Sequence, residues 1–314
     1  MPLPSAAVLT VATYNLYLGA DLSLTLEEPR ADGRQAVLTE VGRQLEVTAF
    51  PRRCAAVADL VARHRPDVLG VQELCTWSVD GQPLWDYEAL LLAALAQRGT
   101  PYDVVCRGDT FHGAGTLPWH GRTARLGLVG ANALLRRRDC DLPVTASWGG
   151  LFRAAMVVAP TMDAEVSVAR GWCAVTLAVG GSDRPVTVVN THTEAYDPGP
   201  RDRQIEELLR VLPDGPVVVL GDLNATPDTT RLPDGLRDAW LAAGNPEDPQ
   251  RAATCGQAAD LSNPVSTLHE RIDYVLVRDL TVTDCLRFGA GGEDRSAAGL
   301  WPSDHAGVCA TLRA

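Results

Sequence analysis

The chain has 314 residues, 46% apolar and 21% charged, with a net charge of −11 at neutral pH. This composition is globular and the length can bury a large core, as one big α/β domain or two smaller ones. The acidic balance argues against broad, non-specific phosphate-backbone binding but leaves room for a local basic patch or a small phosphorylated substrate. All 28 basic residues are arginine, which removes Schiff-base chemistry and a Walker-type phosphate lysine.

Eight cysteines are widely spaced with no C-x-x-C pair, and most sit in apolar runs, so buried small hydrophobes are expected rather than disulfides or a zinc site. The start, MPLPSAAVLTVATYN, lacks a basic segment and a long apolar core, and no run reaches the roughly 18 apolar residues of a membrane span. A soluble cytoplasmic protein is the expectation.

In chain order, AVLTVATYN (7–15) reads as a strand ending at Asn15, followed by a loop with Gly19 and Asp21. Residues 22–50 are weakly patterned, a loop with some helix. RRCAAVADLVARH places Val57, Leu60, Val61 and His64 on one helical face, and Pro66 stops it. DVLGVQE (67–73) is a buried strand ending at Glu73. Trp77 to Pro83 reads as a turn-rich loop, and Tyr87, Leu90, Leu91, Ala94 and Leu95 form a second helical stripe. YDVVC (102–106) is a strand; 107–124, rich in Gly, Thr and His, reads as a surface loop. Residues 126–137, 170–179 and 185–192 are strand-like, with Gly-Gly-Ser-Asp between the last two as a hairpin turn. A helix carrying Ile205, Leu208, Leu209 and Leu212 precedes VVVLGDLNATP (217–227). Residues 225–264 are irregular, with a short helix over 236–243. ERIDYVLV and LTVTDCLRF are strands, and Asp304-His305 precedes the last one. Many strands with helices between them predict an α/β (α+β) fold.

Polar residues gather at the strand ends: Asn15, Glu73, Asn190 with His192, Asp222 with Asn224, Asp273, and Asp304 with His305. Each has a bland alternative. Gly221, Asp222, Asn224 and Pro227 are ordinary turn residues, Glu73 can cap the next segment, and His192 can be a satisfied core histidine. Six coincidences of one kind point instead to a common mouth, where carboxylates and amides suit a hard cation and the water beside it.

TYN, QE, NTH, GDLN, RIDYV and SDH, in this order, resemble the endonuclease/exonuclease/phosphatase superfamily over residues 8–312. YNLYLGADL, TCGQAADLSNP and GLWPSDHAG look closest to its bacterial metal-dependent hydrolases. The resemblance implies one catalytic domain over 1–314, a two-sheet β-sandwich flanked by helices on both outer faces, with the site at one edge. It implies Mg²⁺, with Mn²⁺ or Ca²⁺ as alternatives, held by Glu73 with Asn15 beside it and Asp304 on or near it. Asp222 and Asn224 would orient the attacking water and phosphoryl oxygens. His305 would contact phosphate or act as base, oriented by Asp273. His192 matches a second histidine, with Asn190 before it on the same strand face.

The chemistry stands beside the resemblance. A phosphodiester repels hydroxide, so its charge must be offset and a water aligned in line. Water held by Asp222 can pass a proton towards His305, while a protonated His192 would stabilise the transition state or protonate the leaving group. Arg125 and Arg170 can reach substrate phosphate, although a surface role is the simpler expectation for either. Nucleases of the superfamily often carry an acid two residues after the first asparagine; here it is Tyr17, and Asp21 is the nearest substitute. The reading is a Mg²⁺-dependent phosphoesterase acting on a small phosphorylated molecule or a lipid headgroup, for which Trp77, Trp85, Trp119 and Trp301 could form an apolar rim. The alternatives are a DNA or RNA nuclease, which the acidic charge disfavours, a non-catalytic binder of a phosphorylated ligand, and a biosynthetic enzyme using the same metal site for a non-phosphate reaction.

Overall fold

A computed structural model describes residues 8–25, 34–156, 164–180, 184–229 and 235–314. In chain order the first strands are β1 (Val8–Asn15), β2 (Val68–Gln72), β3 (Thr76–Val79), β4 (Gln82–Asp86), β5 (Tyr102–Trp119) and β6 (Arg122–Arg137). Then come β7 (Val144–Leu151), β8 (Ala164–Val168), β9 (Gly171–Leu177), β10 (Val186–His192) and β11 (Val217–Asp222). The last are β12 (Arg237–Asp238), β13 (Asp273–Arg278), β14 (Thr281–Phe288) and β15 (Gly307–Arg313). The longer helices are α1 (Arg34–Thr48), α2 (Cys54–His64), α3 (Tyr87–Gln97) and α4 (Pro198–Val211).

These strands form two mixed sheets. The first runs β14-β15-β1-β2-β6-β3-β4, with β5 on β6 and β8 on β5; the second runs β12-β13-β11-β10-β9-β7. Within them β1–β2 and β10–β11 are parallel pairs.

Alternation along the strands builds the layers, because successive side chains face opposite ways. Leu9 and Val11, Val186 and Val188, Val218 and Leu220, and Val275 and Val277 meet between the sheets. The other parity of the first sheet, Ala12, Tyr14, Leu69 and Val71, packs on Leu45 of α1, Val57 and Leu60 of α2 and Leu91 of α3. The outer face of the second, Val189, Val217 and Val219, packs on Leu208 of α4. Each such fully buried aliphatic stabilises the sandwich by about 1.5–3 kcal/mol.

The same parity aims the polar strand ends inward. Thr13 and Asn15 continue the face of Leu9 and Val11, Asn190 and His192 that of Val186 and Val188, and Asp222 that of Val218 and Leu220. Register then sets the neighbours: Asn15 opposite Gln72, His192 opposite Asp222, and Asp222 opposite Asp273.

Several sequence expectations give way here. Trp77 to Pro83 is not a loop but the β3–β4 hairpin, turning at Asp80-Gly81 with φ of 50° and 77°. Residues 107–124 are mostly the long β5–β6 hairpin, turning at His120-Gly121 with φ of 47° and 74°. Both are two-residue turns of the left-handed kind whose twist matches the flanking strands. Residues 34–48 form all of α1, whereas 237–242 are a short strand followed by a single helical turn. The turn expected at Gly180 to Asp183 lies largely outside the described residues. All eight cysteines are free thiols.

Candidate active site

Asp222, on the last residue of β11, is the hub. Its Oδ2 accepts the Asn15 Nδ2–H at 3.0 Å and lies 3.5 Å from His192 Nε2 and 3.7 Å from His305 Nε2. Its Oδ1 accepts the Asn224 backbone N–H at 2.8 Å. That bond is an Asx turn, and it fits Asn224's φ of 47°, a region asparagine tolerates. The strand geometry has therefore ended before Asn224, whose side chain donates to the Thr193 carbonyl at 3.0 Å instead of following Asp222 by alternation.

His305 Nδ1 lies 2.8 Å from Asp273 Oδ2. Burial opposes the charged imidazole, but the negative groups around it, Asp273 and Asp304 among them, hold it well above its ordinary value. Cys255 stands beside the ring and is itself pushed up to about 11 by burial, so at neutral pH the carboxylates carry the effect. Asp222 is raised to about 7, first by burial and then by the Asp273 charge, with His305 pulling the other way.

His192 takes a different state from the protonated one considered in the sequence. Burial, then the cations of Arg170 and His305, depress it well below its ordinary value, which makes it a neutral imidazole. The cation at this place is Arg170, whose Nη1 lies 3.2 Å from both ring nitrogens of His192. Arg170 is 9% exposed, so the surface role expected for it is replaced by a buried one. Its Nε is 3.6 Å from Oε2 of Glu194, a fully buried carboxylate. Glu194 escaped the sequence reading, although it continues the 190, 192 parity and could have been found that way.

Two other residues stand elsewhere. Asn190 is a tie between the sheets and has no free amide to offer a substrate. Its Nδ2 donates to Val71 O at 2.9 Å and Ala133 O at 2.8 Å, and its Oδ1 accepts from Gln72 Nε2 at 2.6 Å. Arg125 is exposed on β6, opposite Thr116 and beside the Asp80 turn. It lies six residues along the strand from Ala131, whose carbonyl holds Leu74 next to Glu73, or roughly 20 Å at strand spacing. The structure does not bring it to the cluster.

Glu73 follows β2 on a left-handed residue with φ of 54°, and its Oε2 accepts the Leu18 N–H at 2.5 Å. Asn15 Oδ1 accepts the Tyr17 N–H at 2.9 Å, and Tyr17 too is left-handed. Asp304 is raised to about 6 by burial, with the Glu73 charge adding to the rise and His305 and Arg53 opposing it. Neither Glu73 nor Asp304 is ion-paired to an arginine among the described residues. Two carboxylates whose charges act on each other have the chemistry to hold a hard divalent cation. Asp222, Asp273 and His305 also bring one donor atom each within 4.8 Å of one another and could hold a metal ion. There the 2.8 Å bond between His305 and Asp273 already occupies two of the donors.

Beneath the mouth lies Arg53, fully buried and without sequence signal. Its guanidinium donates to the carbonyls of Leu16, Tyr17, Thr48 and Pro302, fixing the chain after Asn15 to the chain before Asp304. The apolar rim does not form as expected: Trp77, Trp119 and Trp301 are buried, and Trp85 packs edge-on to Trp119.

The model of the endonuclease/exonuclease/phosphatase family matches residues 12–305. The chain belongs to this family. As a member it is a metal-dependent phosphoester hydrolase with the fold that the sequence resemblance implied. Truncated TDP2 of Caenorhabditis elegans is 21% identical with a TM-score of 0.58, covering 98% of each chain. The family protein of Bacteroides vulgatus is 18% identical with a TM-score of 0.58, again covering 98% of each. D. rerio TDP2 complexed with a single-strand DNA product is 16% identical with a TM-score of 0.59, covering 98% of this chain and 99% of that one. No curated protein matches the sequence. No helix among the described residues is long and apolar enough to cross a membrane.

Proposed function

We propose that this family member hydrolyses a phosphodiester or phosphomonoester of a small molecule or lipid headgroup, with Mg²⁺ as the working ion. The observation that carries this reading is Asp222 Oδ2 standing within 3.7 Å of Asn15, His192 and His305 together, beside the buried cation of Arg170. Glu73 and Asp304 would hold the ion, with Asn15 beside them. When bound, it offsets charge on the non-bridging and leaving oxygens.

Asp222 aligns a water for in-line attack on phosphorus, and its carboxylate takes the water's proton as the new P–O bond forms and the ester P–O bond breaks, while the His305 imidazolium donates from Nε2 to a phosphoryl oxygen. Asp273 keeps His305 in one orientation. Arg170 supplies fixed positive charge to the phosphoryl oxygens, and Asn224 orients them through its amide. His192, being neutral, donates a hydrogen bond rather than charge. Burial of Trp77, Trp119 and Trp301 favours a soluble phosphorylated molecule over a lipid headgroup.

The second reading, a nuclease, is favoured by the likeness to a TDP2 crystallised with a single-strand DNA product and opposed by the net charge of −11. The deciding assay incubates purified protein and Mg²⁺, Mn²⁺ or Ca²⁺ with nucleotides, inositol phosphates, sphingomyelin, bis-nitrophenyl phosphate, and single-stranded and duplex DNA. Metal-dependent release from small phosphoesters alone is expected. Release from DNA alone would install the nuclease reading, and release from none would remove both.

A further inference from the structure

The segment TCGQ, residues 254–257, lies in the least patterned stretch of the sequence, yet it joins the two chain segments that carry Asp273 and His305. Thr254 is 1% exposed. Its hydroxyl oxygen accepts the backbone N–H groups of Ile272 and Asp273, each at 3.1 Å. Its carbonyl accepts the N–H of Ala306, the residue after His305, at 2.6 Å, and its own N–H donates to Glu270 O at 2.6 Å. Cys255 forms bridge pairs with both Glu270 and His305. The N–H groups of Gly256 and Gln257 donate to the Asp304 carbonyl at 3.1 and 3.2 Å.

Asp273 Oδ1, by contrast, is buried without a hydrogen-bond partner among the described residues. The carboxylate is therefore fixed by His305 on one side only, and its place comes from its backbone. Thr254 holds that backbone at the residue's own N–H and holds the His305 segment from the other side.

We infer that Thr254 is a positioning residue that sets the contact between His305 Nδ1 and Asp273 Oδ2. Threonine suits the place because one hydroxyl has two lone pairs for two N–H donors. Removing it leaves both donors buried and unpaired, which drives the segments apart.

The test uses the full chain with ¹⁵N-labelled histidine, reading the His305 Nδ1–H resonance in wild type, Thr254→Val (shape kept, acceptor lost) and Thr254→Ser (acceptor kept). The resonance is expected to move or broaden away in the valine variant and to stay in the serine variant. With bis-nitrophenyl phosphate and Mg²⁺, valine should lower kcat about ten- to a hundredfold with KM within about twofold, and serine should recover it to within about threefold. A folded valine variant that keeps either the wild-type resonance or the wild-type kcat overturns the inference. Should valine prevent folding, a displaced resonance in the serine variant overturns it and an unmoved one supports it. Only the kinetic arm rests on the phosphoesterase reading: wild type inactive on every phosphoester would remove that reading and leave the resonance arm to decide.

Discussion

His305 donates from Nδ1 to Asp273 Oδ2 across 2.8 Å while its Nε2 faces Asp222 Oδ2 at 3.7 Å. The imidazole is thus held on one nitrogen by a carboxylate and presents the other to the hub of the site. A group so placed is worth roughly 10²- to 10⁴-fold in rate when it moves a proton or stabilises charge in the transition state. His305→Ala is expected to lower metal-dependent kcat by that range, and Asp273→Asn by somewhat less, since the ring survives with its orientation weakened. Circular dichroism should remain that of wild type. Rates near wild type in His305→Ala, measured on whichever phosphoester the native protein turns over, would disprove the mechanism.

Asn190 acts on stability rather than chemistry. All three of its amide hydrogen bonds cross between the sheets, to Val71, Ala133 and Gln72. Asn190→Ala strands two carbonyls and one side-chain donor in the core, and the expected loss is about 2–5 kcal/mol in urea unfolding. The neighbouring glycine makes a second test: a Cβ on Gly70 would lie 2.8 Å from Asn190 Oδ1 and 3.1 Å from Leu220 Cβ. Gly70→Ala should therefore destabilise by about 1–3 kcal/mol through overpacking. Unfolding midpoints unchanged in both variants would show that the tie carries no weight.

The inward aim of the site was legible because strand parity is a period-two pattern: Val186, Val188, Asn190, His192 and Glu194 read as one face, as do Val218, Leu220 and Asp222. What parity cannot convey is where a strand stops. Glu73 and Asn224 stand just past the ends of β2 and β11 on left-handed residues, and their side chains point by turn geometry that polar composition does not encode. Arg170 and Arg125 differ little as letters, yet one is buried beside His192 and the other exposed on a distant hairpin. The difference lies in the register that carries β9 to the mouth and the far half of β6 away from it. The β5–β6 hairpin was obscured for a related reason. Its Gly, Thr and His residues lower the strand signal, and its turn, His120-Gly121, uses histidine where Asn or Asp would have announced it.

The two arginines should separate cleanly in kinetics. Arg170 stands 3.2 Å from the His192 ring nitrogens with Glu194 behind it, so Arg170→Gln removes the guanidinium next to His192 and leaves Glu194 unbalanced. Turnover is expected to fall about 10²- to 10³-fold, the range for losing one fixed stabiliser of transition-state charge. Arg125→Gln should leave kcat and KM within about twofold, because its strand carries it roughly 20 Å from the level of Glu73. Equal effects from the two substitutions would mean that substrate reaches along β6 and that the site is wider than the buried cluster.

Metal binding can be tested apart from turnover. Glu73 keeps one oxygen on the Leu18 N–H, and its charge helps raise Asp304, so a divalent ion held between them relieves the repulsion and stabilises the folded chain. Ligand present at about a hundred times its dissociation constant adds about 2.7 kcal/mol to stability, which a thermal melt of a chain this size registers as several degrees. Adding Mg²⁺ to chelator-treated protein should raise Tm by that amount. Glu73→Gln and Asp304→Asn should each shrink the rise, and Asp273→Asn should preserve most of it, because Asp273 is bonded to His305 and outside the Glu73 pair. If Asp273→Asn abolishes the Mg²⁺-dependent rise while Glu73→Gln leaves it intact, the ion sits instead among Asp222, Asp273 and His305, and the roles proposed for those three residues must be exchanged for ligation.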